Sequence, residues 1–273
     1  MEEYISDNSL YIRSKNNSMI NRKMIGRVLG MLLFIELGMF LLCAGVSAGY
    51  GESDYKYFLY TCIINAVVGG LLLLYGRGAE NKMSRRDGYC VVTLSWVFFT
   101  FFGMLPFYFS GSIDTITNAF FETMSGFTTT GATILDDIES LSHGMLFWRS
   151  LTQWIGGLGI VFFTIAILPI FTTGGVQLFS AESTGVTHDR THPKINVMAK
   201  WLWTIYLVLT VSETVLLMFG GMSLFDAICQ SFATTATGGY STKQNSISYW
   251  NSPYIEYVVA IFMIVSSINF SLF

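Results

Sequence analysis

The sequence predicts an all-α integral membrane protein, with six transmembrane helices and two re-entrant pore helices. The first observation is composition, because 52% of the 273 residues are hydrophobic and only 12% are charged. About a quarter of the residues in an ordinary soluble domain are charged. The second observation is that the apolar residues form blocks of about 20, the length a helix needs to cross a bilayer. The third is that two shorter apolar segments each end in a loop rich in threonine and glycine.

The six long apolar blocks are each predicted to be a transmembrane helix. Only backbone that satisfies its own hydrogen bonds can face lipid, and a single isolated segment does so as a helix. The blocks are, in order, Val28–Gly49, Tyr57–Gly76, Tyr89–Ser110, Leu146–Phe171, Trp201–Gly220 and Tyr254–Phe273.

The two shorter apolar segments are Thr115–Phe127 and Leu224–Thr234. Segments of 10 to 14 residues suit a re-entrant helix better than a full span. Each lies between two long blocks, so the sequence predicts two repeats of span, pore helix, loop and span. The predicted divisions are a cytoplasmic N-terminal segment at 1–27, two leading helices in 28–88, a first repeat at 89–175, a cytoplasmic linker at 176–194 and a second repeat at 195–273.

The repeats align imperfectly by residue type. Thr130-Gly131 matches Thr237-Gly238 at a separation of 107, whereas Asn118 and Asp226 match at 108. This difference predicts that one residue was gained or lost between the pore helix and the loop.

The distribution of lysine and arginine predicts the orientation in the membrane. Twelve basic residues precede the first helix or follow the second and fourth, and three lie in or beside the alternate loops. Because cytoplasmic loops are enriched in basic residues, the N-terminus is predicted to be cytoplasmic. Both threonine-glycine loops then lie on the outer side.

The two loops have the composition of a cation-selective filter. Glycine tolerates positive φ, which lets a loop turn its backbone carbonyls in one direction. Rings of such carbonyls replace the hydration shell of K⁺ in selectivity filters. An ordinary extracellular turn is the alternative, and the occurrence of two copies favours the filter. The candidate residues are Thr128, Thr129, Thr130, Gly131, Ala132 and Thr133 in the first loop, and Thr235, Ala236, Thr237, Gly238 and Gly239 in the second.

Several charged and polar residues near the loops are candidates for supporting roles. Glu122, Asn118 and Asp226 lie on the pore helices and are predicted to support the filter. For Glu122 two roles stay open, namely concentrating cations near the loop or bracing it with hydrogen bonds. Glu36 and Glu213 are predicted to be struts between helices. Arg149, flanked by tryptophans, is predicted to be an anchor at the outer membrane interface.

Other classes of function lack a motif in this sequence. There is no nucleophile–base constellation, phosphate loop or nucleic-acid patch, so the chain is predicted not to be an enzyme and not to bind nucleic acid. His188 and His192 have helical spacing but no third ligand nearby, and the four cysteines lack metal or redox spacing. The expected ion is transported K⁺, with no covalently bound cofactor.

Three stretches closely resemble the TrkH-type potassium uptake proteins. They are Ser125–Thr133, Phe147–Ile160 with the sequence FWRSLTQWIGGLGI, and Ala236–Thr242. The resemblance covers nearly the whole chain beyond the basic N-terminus. It implies a K⁺-translocating subunit of the bacterial inner membrane with four pore-loop repeats around one pore, in contact with lipid. It also implies a homodimer and a cytoplasmic nucleotide-binding regulator of the TrkA type, and glycine at position 131 is the potassium-type residue.

The chain departs from that family pattern in repeat number, since it has two repeats where four are expected. The expectation is therefore an N-terminal half. The alternatives are a chain that is inactive alone, one that needs oligomerisation or the missing repeats, and a non-conducting membrane scaffold.

Overall fold

A computed structural model of the protein describes residues 20–79, 84–159 and 195–267, and all regular secondary structure in these ranges is helical. Within these ranges there are nine α-helices and one 3₁₀-helix, and no strand. The helices are α1 Arg22–Gly49, α2 Tyr55–Tyr75, α3 Arg85–Gly103, α4 Leu105–Phe109, α5 Ile116–Phe127, α6 His143–Gly157, α7 Ile195–Phe219, α8 Leu224–Thr235, the 3₁₀-helix Ser246–Trp250 and α9 Pro253–Ser267.

Four helical segments are long and apolar enough to cross a membrane. They are Arg22–Gly49, Tyr55–Tyr75, Arg86–Phe109 and Trp201–Phe219, which correspond to the first, second, third and fifth predicted spans. The fourth predicted span is helical only to Gly157, since Leu158 caps the helix and Gly159 has a φ of 72°. The sixth is helical from Pro253 to Ser267, and positions 160–171 and 268–273 of these two spans lie outside the described residues. The prediction of six spans therefore stays a prediction, as does the cytoplasmic linker 176–194 with its two histidines.

The third span is broken, where the sequence predicted one continuous helix from Tyr89 to Ser110. Helix α3 ends at Gly103 and α4 begins at Leu105, with Pro106 in its first turn. Proline has no N–H to donate to the carbonyl four residues earlier, and its ring clashes with that carbonyl. Pro106 is well placed at the start of α4 but could not continue α3.

Side-chain caps fix where the shorter helices begin. The hydroxyls of Thr115, Ser142 and Ser223 each accept a hydrogen bond from the backbone N–H three residues later, at the starts of α5, α6 and α8. Such caps satisfy backbone donors that have no partner inside the helix. The two short apolar segments therefore carry their start signals in the sequence.

Helix α6 is the central packing element. It contacts α1 and both short helices, α5 and α8. Trp148 of α6 is fully buried, lies 4.6 Å from the ring of Phe40 in α1, and donates its indole N–H to the Gly103 carbonyl at 2.9 Å. Near its other end, a Cβ on Gly156 would overlap the Phe127 carbonyl of α5. One helix thus fixes the positions of both short helices and of the loops that follow them.

Candidate ion-coordinating site

The two threonine-glycine loops have the same backbone conformation. Thr129 and Thr237 both have a φ of 53°, and two residues further on Gly131 and Gly239 have φ values of 74° and 86°. Each loop is closed by a hydrogen bond that reaches back five residues, from Thr130 N to Ser125 O at 3.0 Å and from Gly238 N to Ala233 O at 2.8 Å. A threonine with positive φ is uncommon. Its occurrence at the same point of both turns makes the loops a structural repeat.

The structural repeat has one register from end to end, so the predicted gain or loss of a residue is wrong. The helices α5 and α8, their caps and the matched turns are all displaced by 108 positions. Gly131 therefore corresponds to Gly239, and Thr130 corresponds to Gly238. Matching by residue type paired Gly131 with Gly238 because each follows a threonine.

The loops touch each other, and glycine is required there for two different reasons. A Cβ on Gly131 would overlap the carbonyl oxygen of Gly238 in the other loop, and Gly131 also has positive φ. Gly238 has no positive φ, but a Cβ there would overlap the side-chain amide of Gln153. The first glycine thus permits a turn and a contact, whereas the second only leaves room for a neighbour.

Glu122 holds the far end of the first loop. Its carboxylate accepts a hydrogen bond from the Thr133 hydroxyl at 2.9 Å and from the Ile134 N–H at 3.0 Å. It also accepts one from Arg149 Nε at 2.8 Å, and only 1% of the residue is exposed. A buried carboxylate occupied by three donors favours the bracing role over that of concentrating cations.

The prediction that Arg149 anchors the outer interface is wrong. Arg149 is 2% exposed, pairs with Glu122, and donates from Nη1 to the Ser241 carbonyl at 3.0 Å. Its guanidinium carbon lies 3.6 Å from the centre of the Tyr240 ring. A buried charge needs a partner, and Arg149 finds one on α5 and another after the second loop. It therefore joins the two repeats.

Tyr240 and Ser125 contact the loops but were not among the predicted site residues. The Tyr240 hydroxyl donates to the Glu122 carbonyl at 2.9 Å and lies 3.3 Å from the Ala132 carbonyl. The Ser125 hydroxyl also donates to that Ala132 carbonyl, at 2.6 Å. Because Tyr240 follows the second loop directly, this hydroxyl is a second bridge from one repeat to the other.

The predicted supporting residues Asn118 and Asp226 occupy the same register position on α5 and α8. Asn118 is exposed, and its backbone N–H donates to the Thr115 hydroxyl at 3.2 Å. Asp226 accepts hydrogen bonds from the Thr242 hydroxyl at 2.6 Å and from the Ser223 hydroxyl at 2.8 Å. Asp226 therefore fastens the segment after the second loop to α8, while the contact of Asn118 stays at the start of its own helix.

The exposed edge of the loops consists of backbone and hydroxyl groups. Thr128, Thr130 and Thr237 are exposed, and the first two pair their hydroxyls at 2.8 Å. In the described part of the chain, no three His, Cys, Asp or Glu residues come together to form a metal site. Oxygen atoms of this kind suit a hard monovalent cation.

The predicted struts Glu36 and Glu213 are confirmed as contacts between helices. Glu36 of α1 accepts a hydrogen bond from Asn65 Nδ2 of α2 at 3.0 Å. Glu213 of α7 accepts one from the Thr235 hydroxyl, at the end of α8, at 3.3 Å.

The fold and the paired loops define an all-helical membrane protein built around a duplicated unit of short helix and loop. A family model described as TrkH, cation transport protein, matches residues 55–273. The chain belongs to this TrkH family, which is a family of transporters.

Curated relatives are named as potassium uptake proteins. The Trk system potassium uptake protein TrkH of Escherichia coli K12 is 42% identical over 250 residues, covering 91% of this chain and 52% of that protein. TrkG of the same organism is 32% identical over 252 residues, covering 92% and 52%. The chain therefore spans about half the length of the curated relatives it matches.

A solved structure has the same fold. The crystal structure of the potassium transporter TrkH from Vibrio parahaemolyticus superposes with a TM-score of 0.79 at 34% identity. The match covers 93% of this chain and 51% of that one. The identification of the resemblance from three short sequence stretches is thus confirmed over most of the chain.

Proposed function

We propose that this chain contributes two pore loops to a K⁺ transport pathway, in which backbone carbonyls of Thr128–Gly131 and Thr235–Gly239 coordinate the ion. The observation that carries the proposal is the matched pair of turns, with positive φ at Thr129 and Thr237 and direct contact between the loops. Two equivalent carbonyl-bearing turns side by side supply part of a ring of ligands. Membership of the TrkH family supports the same conclusion.

The short helices add an electrostatic contribution to this site. Helices α5 and α8 end directly at the loops, with Thr128 and Ala236 as their last capping positions. The C-terminal end of a helix carries about half a negative charge, which favours a cation nearby. The Ala132 carbonyl has another role, since it accepts hydrogen bonds from Ser125 and Tyr240 and so closes the end of the loop.

The proposed assembly follows the pattern of the family that the sequence resembles. It places six spans and two re-entrant helices in the bacterial inner membrane, with the N-terminus in the cytoplasm and lipid around the outer faces. Two loops supply half of a four-loop ring, so a complete pathway needs two further repeats. The proposed partners are a second copy in a homodimer and a TrkA-type nucleotide-binding regulator in the cytoplasm.

Rescue of a K⁺-uptake-deficient bacterium tests the proposal. The chain is expressed with and without the Gly131→Ser substitution, and growth at low K⁺ is measured together with the uptake of Rb⁺ and Na⁺. We expect the substitution to lower the preference for Rb⁺ over Na⁺. Unchanged selectivity in an active assembly would show that the loops are not the filter.

The mass of the cross-linked particle in detergent separates the remaining alternatives. An active oligomer means that copies of the chain complete the ring. A monomer that neither rescues growth nor binds K⁺ corresponds to a non-conducting scaffold and contradicts the proposed function for this chain.

A further inference from the structure

Gln153 of α6 lies where the two loops meet. It is fully buried, and the side-chain amide fills the space that a Cβ on Gly238 would need. A Cβ built on Gly131 would lie 3.9 Å from Gln153 Nε2. This amide is therefore next to the glycine of the first loop and the glycine of the second.

The orientation of the amide follows from a single hydrogen bond. Gln153 Oε1 accepts a hydrogen bond from the backbone N–H of Tyr240 at 3.0 Å. Because only the oxygen of a side-chain amide can accept from an N–H group, the oxygen must face Tyr240. The Nε2 group is then directed away from Tyr240, and it has no hydrogen-bond partner among the described residues. Leaving a buried donor without a partner is costly, so this group is expected to serve a function.

Gln153 also lies one helical turn from Arg149 on the same face of α6, since residues four apart are neighbours on a helix. Arg149 connects Glu122 of the first repeat to the Ser241 carbonyl of the second. The two buried side chains of one helix therefore both connect the two repeats. Arg149 links α5 to the segment after the second loop, and Gln153 lies at the contact between the loops.

We propose that Gln153 is a positioning residue that sets the spacing of the two loops, and through that spacing the discrimination between K⁺ and smaller cations. Its oxygen fixes the second loop at Tyr240, and its Nε2 group occupies the contact between Gly131 and Gly238. Carbonyl ligands select an ion by their number and separation, so a group that limits their approach affects selectivity. This inference rests on the proposed function of the loops.

The test uses ion-dependent stability of the purified chain, because an ion that binds the folded state raises its melting temperature by mass action. Melting temperatures are measured against increasing KCl or NaCl, with choline chloride to keep ionic strength constant. The variants are Gln153→Leu, which removes both polar atoms, and Gln153→Glu, which keeps an oxygen for Tyr240 and replaces Nε2. The matched control is Gln230→Leu, since Gln230 is also a buried amide and bonds within its own helix.

We expect Gln153→Leu, which loses the hydrogen bond to Tyr240, to lower the ratio of K⁺ to Na⁺ affinity about tenfold, the factor typical of one lost hydrogen bond. Gln153→Glu keeps that bond and changes only the group at the loop contact, so it should lower the ratio by a smaller, measurable factor. Gln230→Leu is expected to lower the melting temperature without changing that ratio. A Gln153 variant that is destabilised but keeps the wild-type ratio has only a structural role, which overturns the inference and leaves the proposed function standing. If Gln153→Leu does not fold, Gln153→Glu decides the question by the same ratio. A wild-type chain without a K⁺-specific shift contradicts the proposed function, and this inference with it.

Discussion

At the scale of single residues, the glycines of the two loops are needed for different physical reasons. Gly131 has positive φ and lies against the Gly238 carbonyl, whereas its structural counterpart Gly239 has positive φ and open space around the Cβ position. At Gly238, the three atoms nearest to an added Cβ all belong to Gln153. Substitutions at the three glycines should therefore have different effects, although all three lie in copies of one short motif.

The first prediction concerns the contact between the loops. Gly131→Ala combines a positive-φ cost of about 1–2 kcal/mol with a collision against the Gly238 carbonyl, so it should disturb both loops. Gly111→Ala is the matched control, because Gly111 has a φ of 71° and no atom within 4 Å of the Cβ position. Ion uptake should fall much further for Gly131→Ala. Equal losses would mean that backbone strain alone accounts for the effect.

The second prediction concerns the buried ion pair. Arg149→Met leaves the Glu122 carboxylate buried without its cation, and removing one partner of such a pair costs about 3–5 kcal/mol. The double variant Glu122→Gln, Arg149→Met should recover part of that loss, because no uncompensated charge remains. The free energies of unfolding of the single and double variants, measured in detergent, give the loss and its recovery. If the single variant costs less than about 1 kcal/mol, as an exposed pair would, the pair is not coupled as described.

At the scale of helices, the loop between α1 and α2 caps the start of α6. Glu52 accepts hydrogen bonds from the backbone N–H groups of His143 and Gly144, at 2.8 and 3.3 Å, and lies 2.7 Å from His143 Nδ1. Partial burial opposes ionisation of Glu52, but these hydrogen bonds outweigh it and lower its pKa. The leading helices are therefore joined to α6, the helix that carries Arg149 and Gln153.

The third prediction is the pH dependence of this cap. Because the folded pKa of Glu52 is lowered, its stabilisation is complete above the ordinary glutamate pKa of about 4.3 and is lost as pH falls below that value. Glu52→Gln should lower stability at pH 7 by about 1 kcal/mol, typical of a lost cap. The difference from wild type should shrink in acid, as measured by melting between neutral pH and pH about 3. Asp54→Asn is the control, since Asp54 makes no side-chain cap on α2, and a similar pH profile there would contradict the assignment.

The fourth prediction tests the packing of α6 on the end of α5. Gly156→Ala places a Cβ on the Phe127 carbonyl, and overpacking of this kind costs about 1–3 kcal/mol. Gly70→Ala in α2 is the control, because no atom lies within 4 Å of its Cβ position. It should be neutral or stabilising, since alanine is the better helix former. Equal melting temperatures for the two variants would show that α6 does not pack as closely as described.

At the scale of the whole molecule, two matching units of short helix and loop are joined through a central helix. Helix α6 belongs to the first repeat by sequence, yet it contacts α8 of the second repeat as well as α5. A Cβ on Gly157 would come within 2.7 Å of Ala236, just as one on Gly156 would overlap Phe127. Gly156 and Gly157 thus pack against the ends of α5 and α8, respectively.

The fifth prediction concerns orientation. Gly51 and Gly78 are exposed, share φ values of 72° and 73°, and lie at opposite ends of α2. A membrane-impermeant thiol reagent should label Gly51→Cys in spheroplasts and should label Gly78→Cys only after permeabilisation. The wild-type chain is the control, because three of its four cysteines are buried and Cys90 is half-buried. Labelling in the reverse order would place the N-terminus outside.

Hydropathy and capping residues predict the elements well but do not predict their contacts. The bounds of α5 and α8 follow from apolar segments that begin after Thr115 and Ser223. The burial of Arg149 does not follow, because its partner Glu122 lies 27 residues earlier and only the packed helices bring them together. The repeat register could not be predicted either, because the same residue type occupies different backbone positions in the two loops.

The correspondence of Thr130 with Gly238, and of Glu122 with Gln230, has an evolutionary consequence. In a channel assembled from identical subunits, one codon change alters every loop of the ring at once. When loops follow one another in a single chain, a mutation alters one loop and leaves its counterpart unchanged. Each loop can then diverge gradually under selection, which is how two turns with the same backbone could come to have different side chains.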